Sequence, residues 1–219
     1  MLYQLSYLFI IFIIYSMIGW IVEVINVYFY DRKFINRGFL MGPYCPIYGV
    51  GALFVILFLT KYMDDIVNFY ILVVVSVSIL EYFTSYVMEK VFNARWWDYS
   101  TKKFNLNGRI SIYTSLAFGV LAIFVCYFLH PIIIDMLNLV PQNVLMIIFG
   151  IIIIPFIIDL SISLKFLTRL KKNIILLNKD MTEDINHQIA KFLEKNHLLK
   201  AFPLLNQKVV KIEQTSNKK

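Results

Sequence analysis

"LSYLFIIFIIYSMIGWIVEVINVYF" occupies residues 5–29 and carries one formal charge, Glu23. As a helix rising ~1.5 Å per residue, this stretch is long enough to cross a hydrocarbon core of ~30 Å. Four further windows read the same way: Tyr44–Leu59, Ile66–Met88, Ile110–Ile134 and Val144–Leu164, and no Lys or Arg falls in any of them. The second is the weakest, because its clean apolar run begins only at Ile47, and Gly49 and Gly51 give it the character of a packing helix. All of these runs are continuously apolar and lack the alternation that the lipid and lumen faces of a β-barrel require. Composition agrees, since 59% hydrophobic residues and a mean hydropathy of +0.70 over 219 residues leave too little polar surface for a soluble globule. The expected fold is all-α: a polytopic membrane bundle of five transmembrane helices over residues 1–164, followed by a basic cytoplasmic tail over residues 165–219.

The connections set the expected orientation, because cytoplasmic flanks collect Lys and Arg while short translocated loops avoid them. The first connection holds Arg32, Lys33 and Arg37; the third holds Lys90, Arg95, Lys102, Lys103 and Arg109; the tail opens with Lys165, Arg169, Lys171 and Lys172. Of the 21 basic residues, Lys61 alone falls in the second or fourth connection. This alternation predicts an outer N-terminus and an inner C-terminus. It also accounts for the +7 net charge as topology, with some attraction to anionic lipid, and removes the need for a nucleic-acid partner. The first window lacks a preceding basic residue and a small-residue cleavage site, so it reads as a retained helix rather than a signal peptide.

Three carboxylates lie within the spans: Glu23, Glu81 and Asp159. An ionisable group in hydrocarbon costs several kcal/mol unless paired, hydrated or protonated, so each marks a candidate site. Their depths agree, at roughly 9 to 14 Å from the first cytoplasmic charge that follows each. Helical spacing gathers other polar groups with them. Ser78, Glu81, Ser85 and Glu89 share one face of the third span, and Gly19, Glu23 and Asn26 share one face of the first. Ser111, Thr114 and Ser115 follow Arg109 into the fourth, and Ser163 lies one turn beyond Asp159.

The expected result is a polar chamber that opens to the cytoplasm and ends partway through the bilayer. Its candidate substrate-binding residues are Glu23, Asn26, Arg37, Glu81, Ser85, Glu89, Arg95, Asp98, Arg109 and Asp159. Arg37, Arg95 and Arg109 are the natural counter-charges at the mouth, since a guanidinium grips a carboxylate or a phosphate with paired bonds. The competing reading is structural, with buried acids and serines pinning helices at about a kcal/mol each. A proton relay through Glu23 or Glu81 is a third.

"NRGFLMGPYCPIYG" (36–49) is the expected floor of the chamber. Pro43 and Pro46 forbid a regular helix between them, and an irregular segment at that depth must satisfy its amides against protein or water. It is expected to fold back beneath the first and third spans, with Arg37 reaching Glu23 or Glu81. Cys45 reads as a small packed residue rather than a reactive thiol, and its different depth from Cys126 argues against a disulfide between them. Trp96, Trp97 and Tyr99 read as an interfacial belt, and His130 as a packing residue near the outer interface. The three histidines lack metal-ligand spacing with Cys or acids. Walker-type, dinucleotide and nucleophile-elbow patterns are also missing, so no metal, cofactor or catalytic residue is assigned and enzymatic activity stays open.

"YSMIGWIVE" (15–23), "NRGFLMGPYCPIYGVGAL" (36–53), "LEYFTSYVMEKVF" (80–92) and "RWWDYSTKKFNLNGRI" (95–110) together resemble the signature blocks of the family described as putative ABC-transporter type IV, the CmpB-like membrane proteins. The resemblance covers most of residues 5–165. It implies a small multi-pass protein of a bacterial cell membrane, labelled a permease, with a separate ATP-binding subunit as a candidate partner. It supplies no catalytic residues.

Five spans and a lining that stops in the inner half sit awkwardly with a conducting permease. A homodimer would repair the first and a closed outer gate the second. The chain also echoes itself: in spans one and three a Glu stands nine residues before the first basic residue, and "NRG" or "NGR" follows at the next span. A parallel repeat and coincidence both account for this. In the tail, "DMTEDINHQIAKFLEKN" pairs Asp180 with Glu183 as a cap ahead of Ile185, Ile189, Phe192 and Leu193, predicting an amphipathic helix over about 181–197. Three functions fit this sequence: a transporter subunit, a membrane enzyme or binder acting on an amphiphilic or lipid-linked substrate from the cytoplasmic side, and a ligand-free scaffold.

Overall fold

The computed structural model describes residues 2–32, 36–38, 40–92 and 96–177. Helix α1 (Leu2–Asp31) is followed by an irregular connection and α2 (Pro46–Phe54). Pro46 starts α2, where its fixed φ suits the first turn and its missing N–H costs no helical bond. The rod continues through a π-helical turn (Val55–Leu59) and a 3-10 turn (Thr60–Tyr62). Helix α3 (Ile66–Phe92) is capped by Asp65, whose Oδ1 accepts the amides of Val67 and Asn68 at 3.0 and 3.1 Å.

The chain is mostly helical, as the sequence suggests, with a small hairpin besides. Strands β1 (Asn105–Leu106) and β2 (Ile110–Ser111) pair antiparallel, and Asn107 and Gly108 both take positive φ in the turn. An Asn-Gly pair makes such a turn readily, since both residues tolerate the left-handed region. Helix α4 (Ile112–Phe124) passes through a second π-helical turn (Val125–Leu129) into α5 (His130–Asn138), and α6 (Gln142–Leu177) completes the described chain.

Four helical runs are long and apolar enough to cross a membrane: Leu2–Phe29, Ile66–Phe92, Ile112–Asn138 and Gln142–Lys165. Pro46–Tyr62 is a shorter apolar helix, ~26 Å long against the ~30 Å of a hydrocarbon core. Helix α6 runs unbroken through Lys165, so residue 164 is no break in the helix. The amphipathic segment of the tail lies outside the described residues.

Helix α1 is central, with 39% of its most apolar stretch buried against 11% for α6. It packs closely on α2. A Cβ on Gly49 would stand 2.3 Å from Ser16 Oγ and 2.5 Å from the Phe12 carbonyl oxygen, so only glycine permits this approach. One apolar cluster joins α1 to α5 and α6 through Ile10, Ile11, Tyr15, Ile133, Leu137 and Leu145. In a second, the two π-helical turns meet: Val55 and Leu59 pack with Cys126, Phe69 and Val73. Outward faces carry exposed Ile, Leu, Val and Phe, as lipid contact requires.

Candidate functional site

The acids within the bundle, Glu23, Glu81, Glu89 and Asp159, each bond to a residue of connection 32–45 or 93–111. Glu23 is held from two sides. Tyr48 of α2 donates its hydroxyl to Oε1 at 2.6 Å, and Arg37 Nε lies 3.4 Å from Oε2. Of the two carboxylates within the expected reach of Arg37, the structure gives Glu23. Arg37 also anchors its own segment through the backbone, since its carbonyl accepts from Cys45 Sγ at 3.6 Å. Burial, reinforced by Glu23 and opposed by Arg37, pushes the Cys45 thiol up to about 12, so this cysteine is a packed residue and a poor nucleophile.

Residues 36–38 and 40–45 of connection 32–45 bond to α1 and α6, whereas the sequence suggested α1 and α3. The Cys45 amide donates to the Ser16 carbonyl at 2.9 Å, and Trp20 Nε1 donates to Asn36 Oδ1 at 2.6 Å. Asp159 of α6 takes the free amides of the turn: Met41 N donates to Oδ1 at 3.0 Å and Gly42 N to Oδ2 at 2.7 Å. Ser163, one turn on, donates to Oδ1 at 3.0 Å. Asp159 therefore serves as an acceptor for irregular backbone that has no helix or strand of its own to bond to.

Glu81, 5% exposed, is treated differently. Tyr99, from connection 93–111, donates its hydroxyl to Oε1 at 3.2 Å, while Oε2 is buried and has no hydrogen-bond partner among the described residues. Burial, then Glu81 with its charge and hydrogen bond, and then the charge of Glu23, raise the Tyr99 phenol above its ordinary range. Ser111 Oγ, buried at the start of α4, is likewise without a partner among the described residues.

Further along α3, Arg109 closes a third group. Its NH2 lies 2.7 Å from Glu89 Oε2 and its NH1 donates to Ser85 Oγ at 3.4 Å. The guanidinium carbon sits 5.6 and 5.4 Å from the ring centres of Tyr82 and Tyr86, where a cation is attracted to the ring faces. Trp97 Nε1 donates to the Arg109 carbonyl at 2.8 Å, and Asn107 Nδ2 to Tyr82 Oη at 3.0 Å. The hairpin β1–β2 thus aims Arg109 inward.

Of the sequence-predicted residues, Glu23 and Arg37 form one group, Ser85, Glu89 and Arg109 another, and Glu81 and Asp159 each have their own partners. Asn26 is exposed on α1. Asp98 is also exposed and accepts the Ser100 amide at 2.9 Å in a local turn. Arg95 lies outside the described residues.

Sequence reasoning missed two tyrosines. Tyr48 was one apolar residue among many, and Tyr99 was read as part of an interfacial belt; each turns its hydroxyl onto an acid. The available signal was the unpaired acid itself, which needs a donor. His130 is paired too, its Nδ1 3.1 Å from the Tyr15 hydroxyl.

A family model described as putative ABC-transporter type IV matches residues 10–164. The chain belongs to that family. The matched region contains α1 from residue 10 onward, α2 to α5, both basic connections and Asp159, so every charged group of the site lies within it. Neither a curated protein nor a solved structure matches the chain.

Proposed function

We propose that this member of the type IV family is a permease-like subunit of a bacterial cell membrane, with a substrate-binding polar chamber open to the cytoplasm. The proposed topology has five spans, Pro46–Tyr62 being a short second one, with the N-terminus outside and the C-terminus inside. Connections 32–45 and 93–111 and the basic tail are the surfaces that a separate ATP-binding subunit would meet. The observation that carries this reading is the concentration of Glu23, Glu81, Glu89 and Asp159 against these connections. Acids cost too much in hydrocarbon to persist there as decoration.

Purification of tagged protein from its host in mild detergent tests the transport reading. A stoichiometric nucleotide-binding subunit is expected, and its absence would reject coupling to ATP. Orientation is tested in a background lacking Cys45 and Cys126. Single cysteines at Asp64 and Asn138 should react with an impermeant reagent in intact cells, and cysteines at Lys102 and Lys172 should not. Labelling at Lys102 would overturn the topology and the cytoplasmic chamber with it.

The one-sidedness of the polar groups favours a second reading. A lining that stops partway suits a binder or enzyme that takes an amphiphile from the cytoplasmic leaflet. A retained lipid, found without an ATPase, would support it.

A further inference from the structure

Among the described residues, the inward-facing charges of the two helix pairs comprise three carboxylates, Glu23, Glu81 and Glu89, and two guanidiniums, Arg37 and Arg109. Each guanidinium already serves one acid, Arg37 on Glu23 and Arg109 on Glu89. Glu81 is left over. Its Oε1 is occupied by the Tyr99 hydroxyl, and its Oε2 is buried without a donor. A carboxylate oxygen stripped of water and given nothing in return is among the costlier arrangements a fold can hold. Lys102 does not fill the place, since it is exposed, with its ammonium 5.2 Å from the centre of the Tyr99 ring. That contact shows instead that the Tyr99 ring accepts a cation on its face.

We propose that Glu81, backed by Tyr99, is the binding site for a protonated amine, which supplies both the missing charge and the missing N–H donor. The inference rests on the polar core being the ligand site and names the chemical class of its ligand. Glu81 is in neither of the two ion pairs, and its one carboxylate charge calls for a monocation. An unsatisfied oxygen calls for a donor, which a primary ammonium has and a quaternary one lacks. A divalent metal fits poorly, because it needs several hard oxygen ligands and no group of three or more His, Cys, Asp or Glu suited to a metal occurs among the described residues. A soluble amine and an aminolipid headgroup present the same chemistry.

The test uses the full-length chain in phosphatidylcholine nanodiscs, whose headgroups carry no N–H, titrated calorimetrically with methylammonium chloride or tetramethylammonium chloride at fixed ionic strength. Methylammonium should bind and tetramethylammonium should not. Glu81→Gln should weaken methylammonium binding by at least about tenfold, the loss of a charge-assisted hydrogen bond. Equal responses to the two cations, or an unchanged affinity in Glu81→Gln, would overturn the site. Should Glu81→Gln fail to fold, Tyr99→Phe decides: stripping the donor from Oε1 leaves the carboxylate more dependent on the amine, so methylammonium should bind more tightly, and unchanged or weaker binding overturns the proposal.

Replacing the lipid with phosphatidylethanolamine identifies the source. Competition with methylammonium in the native chain marks a lipid headgroup as the occupant, and its lack marks a soluble amine. No ATP-binding subunit enters this assay. Amine binding by a chain with which no such subunit co-purifies would reject coupling to ATP and keep the site, while a co-purifying ATPase without amine binding would do the reverse.

Discussion

The pair α1 and α2 and the pair α3 and α4 are built to one plan and finished differently. In each, a long helix ends at a basic connection, an arginine from that connection returns to an acid on the long helix, and a second helix bearing a π-helical turn packs back. In the first pair the arginine takes the deep acid, Glu23. In the second, Arg109 takes Glu89, eight residues and about 12 Å along the helix from Glu81. The hairpin explains the difference, because its turn holds Arg109 at the level of Ser85 and Glu89, and the tyrosines 82 and 86 keep the guanidinium there. One plan thus yields one neutralised acid and one that is not. Charge asymmetry between otherwise matching units is what sets Glu81 apart.

The largest effect expected from breaking this comparison lies in the packing of each pair. Gly49→Ala should destabilise by about 3 kcal/mol, since the new methyl group meets the Phe12 backbone oxygen, which cannot yield. Gly119→Ala, its counterpart between α3 and α4, should cost about 1 kcal/mol, because it meets the side chains of Val74 and Tyr70, which can turn away. Thermal unfolding in detergent checks the order, and equal losses would remove the distinction.

The arginines come next. Arg109→Ala should cost about 2 to 3 kcal/mol, because it removes two ring contacts and leaves Glu89 half-buried. Arg37→Ala should cost less, because Arg37 is the more exposed guanidinium, its contact with Glu23 is longer at 3.4 Å against 2.7 Å, and Tyr48 still donates to that acid. A double-mutant cycle of Arg37→Ala with Glu23→Gln should show coupling of about 1 kcal/mol, and the same cycle with Glu81→Gln should be additive. Coupling to Glu81 instead would make the two units alike.

Asp159→Asn probes the hold of α6 on the first connection. The loss should be about 1 kcal/mol, with faster hydrogen exchange at the Met41 and Gly42 amides that now lack an ionised acceptor. Unchanged exchange there would detach the connection from α6. The smallest effect is kinetic. With its thiol raised to about 12, Cys45 is almost wholly protonated at neutral pH and should react with a thiol reagent at least about 100-fold more slowly in the native chain than after unfolding.

Much of the site was legible because burying an acid is expensive enough to leave a mark in the sequence. Glu23, Glu81 and Asp159 stood out against apolar runs, and helical spacing grouped Ser85 and Glu89 with Glu81. Pairing was less legible. Arg37 had two acids within plausible reach, and the choice fell to the path of residues 36–45 over Ser16 and beneath Asp159. Tyr48 and Tyr99 were missed because an aromatic residue in a membrane protein is ordinary until the direction of its hydroxyl is known. The β-hairpin escaped for a related reason, as strands of two residues each leave no periodicity to read.

By itself the sequence determined the helices, their apolar character and the end at which polar groups collect, since these follow from hydropathy, proline placement and the cost of charge in hydrocarbon, all properties of local composition. Tertiary structure alone decided which acid each arginine meets, that α6 rather than α3 holds the first connection, and that Glu81 keeps one oxygen without a donor. Those outcomes depend on where segments distant in the chain converge, and differences of a few ångströms between such segments choose one partner over another without altering the local pattern.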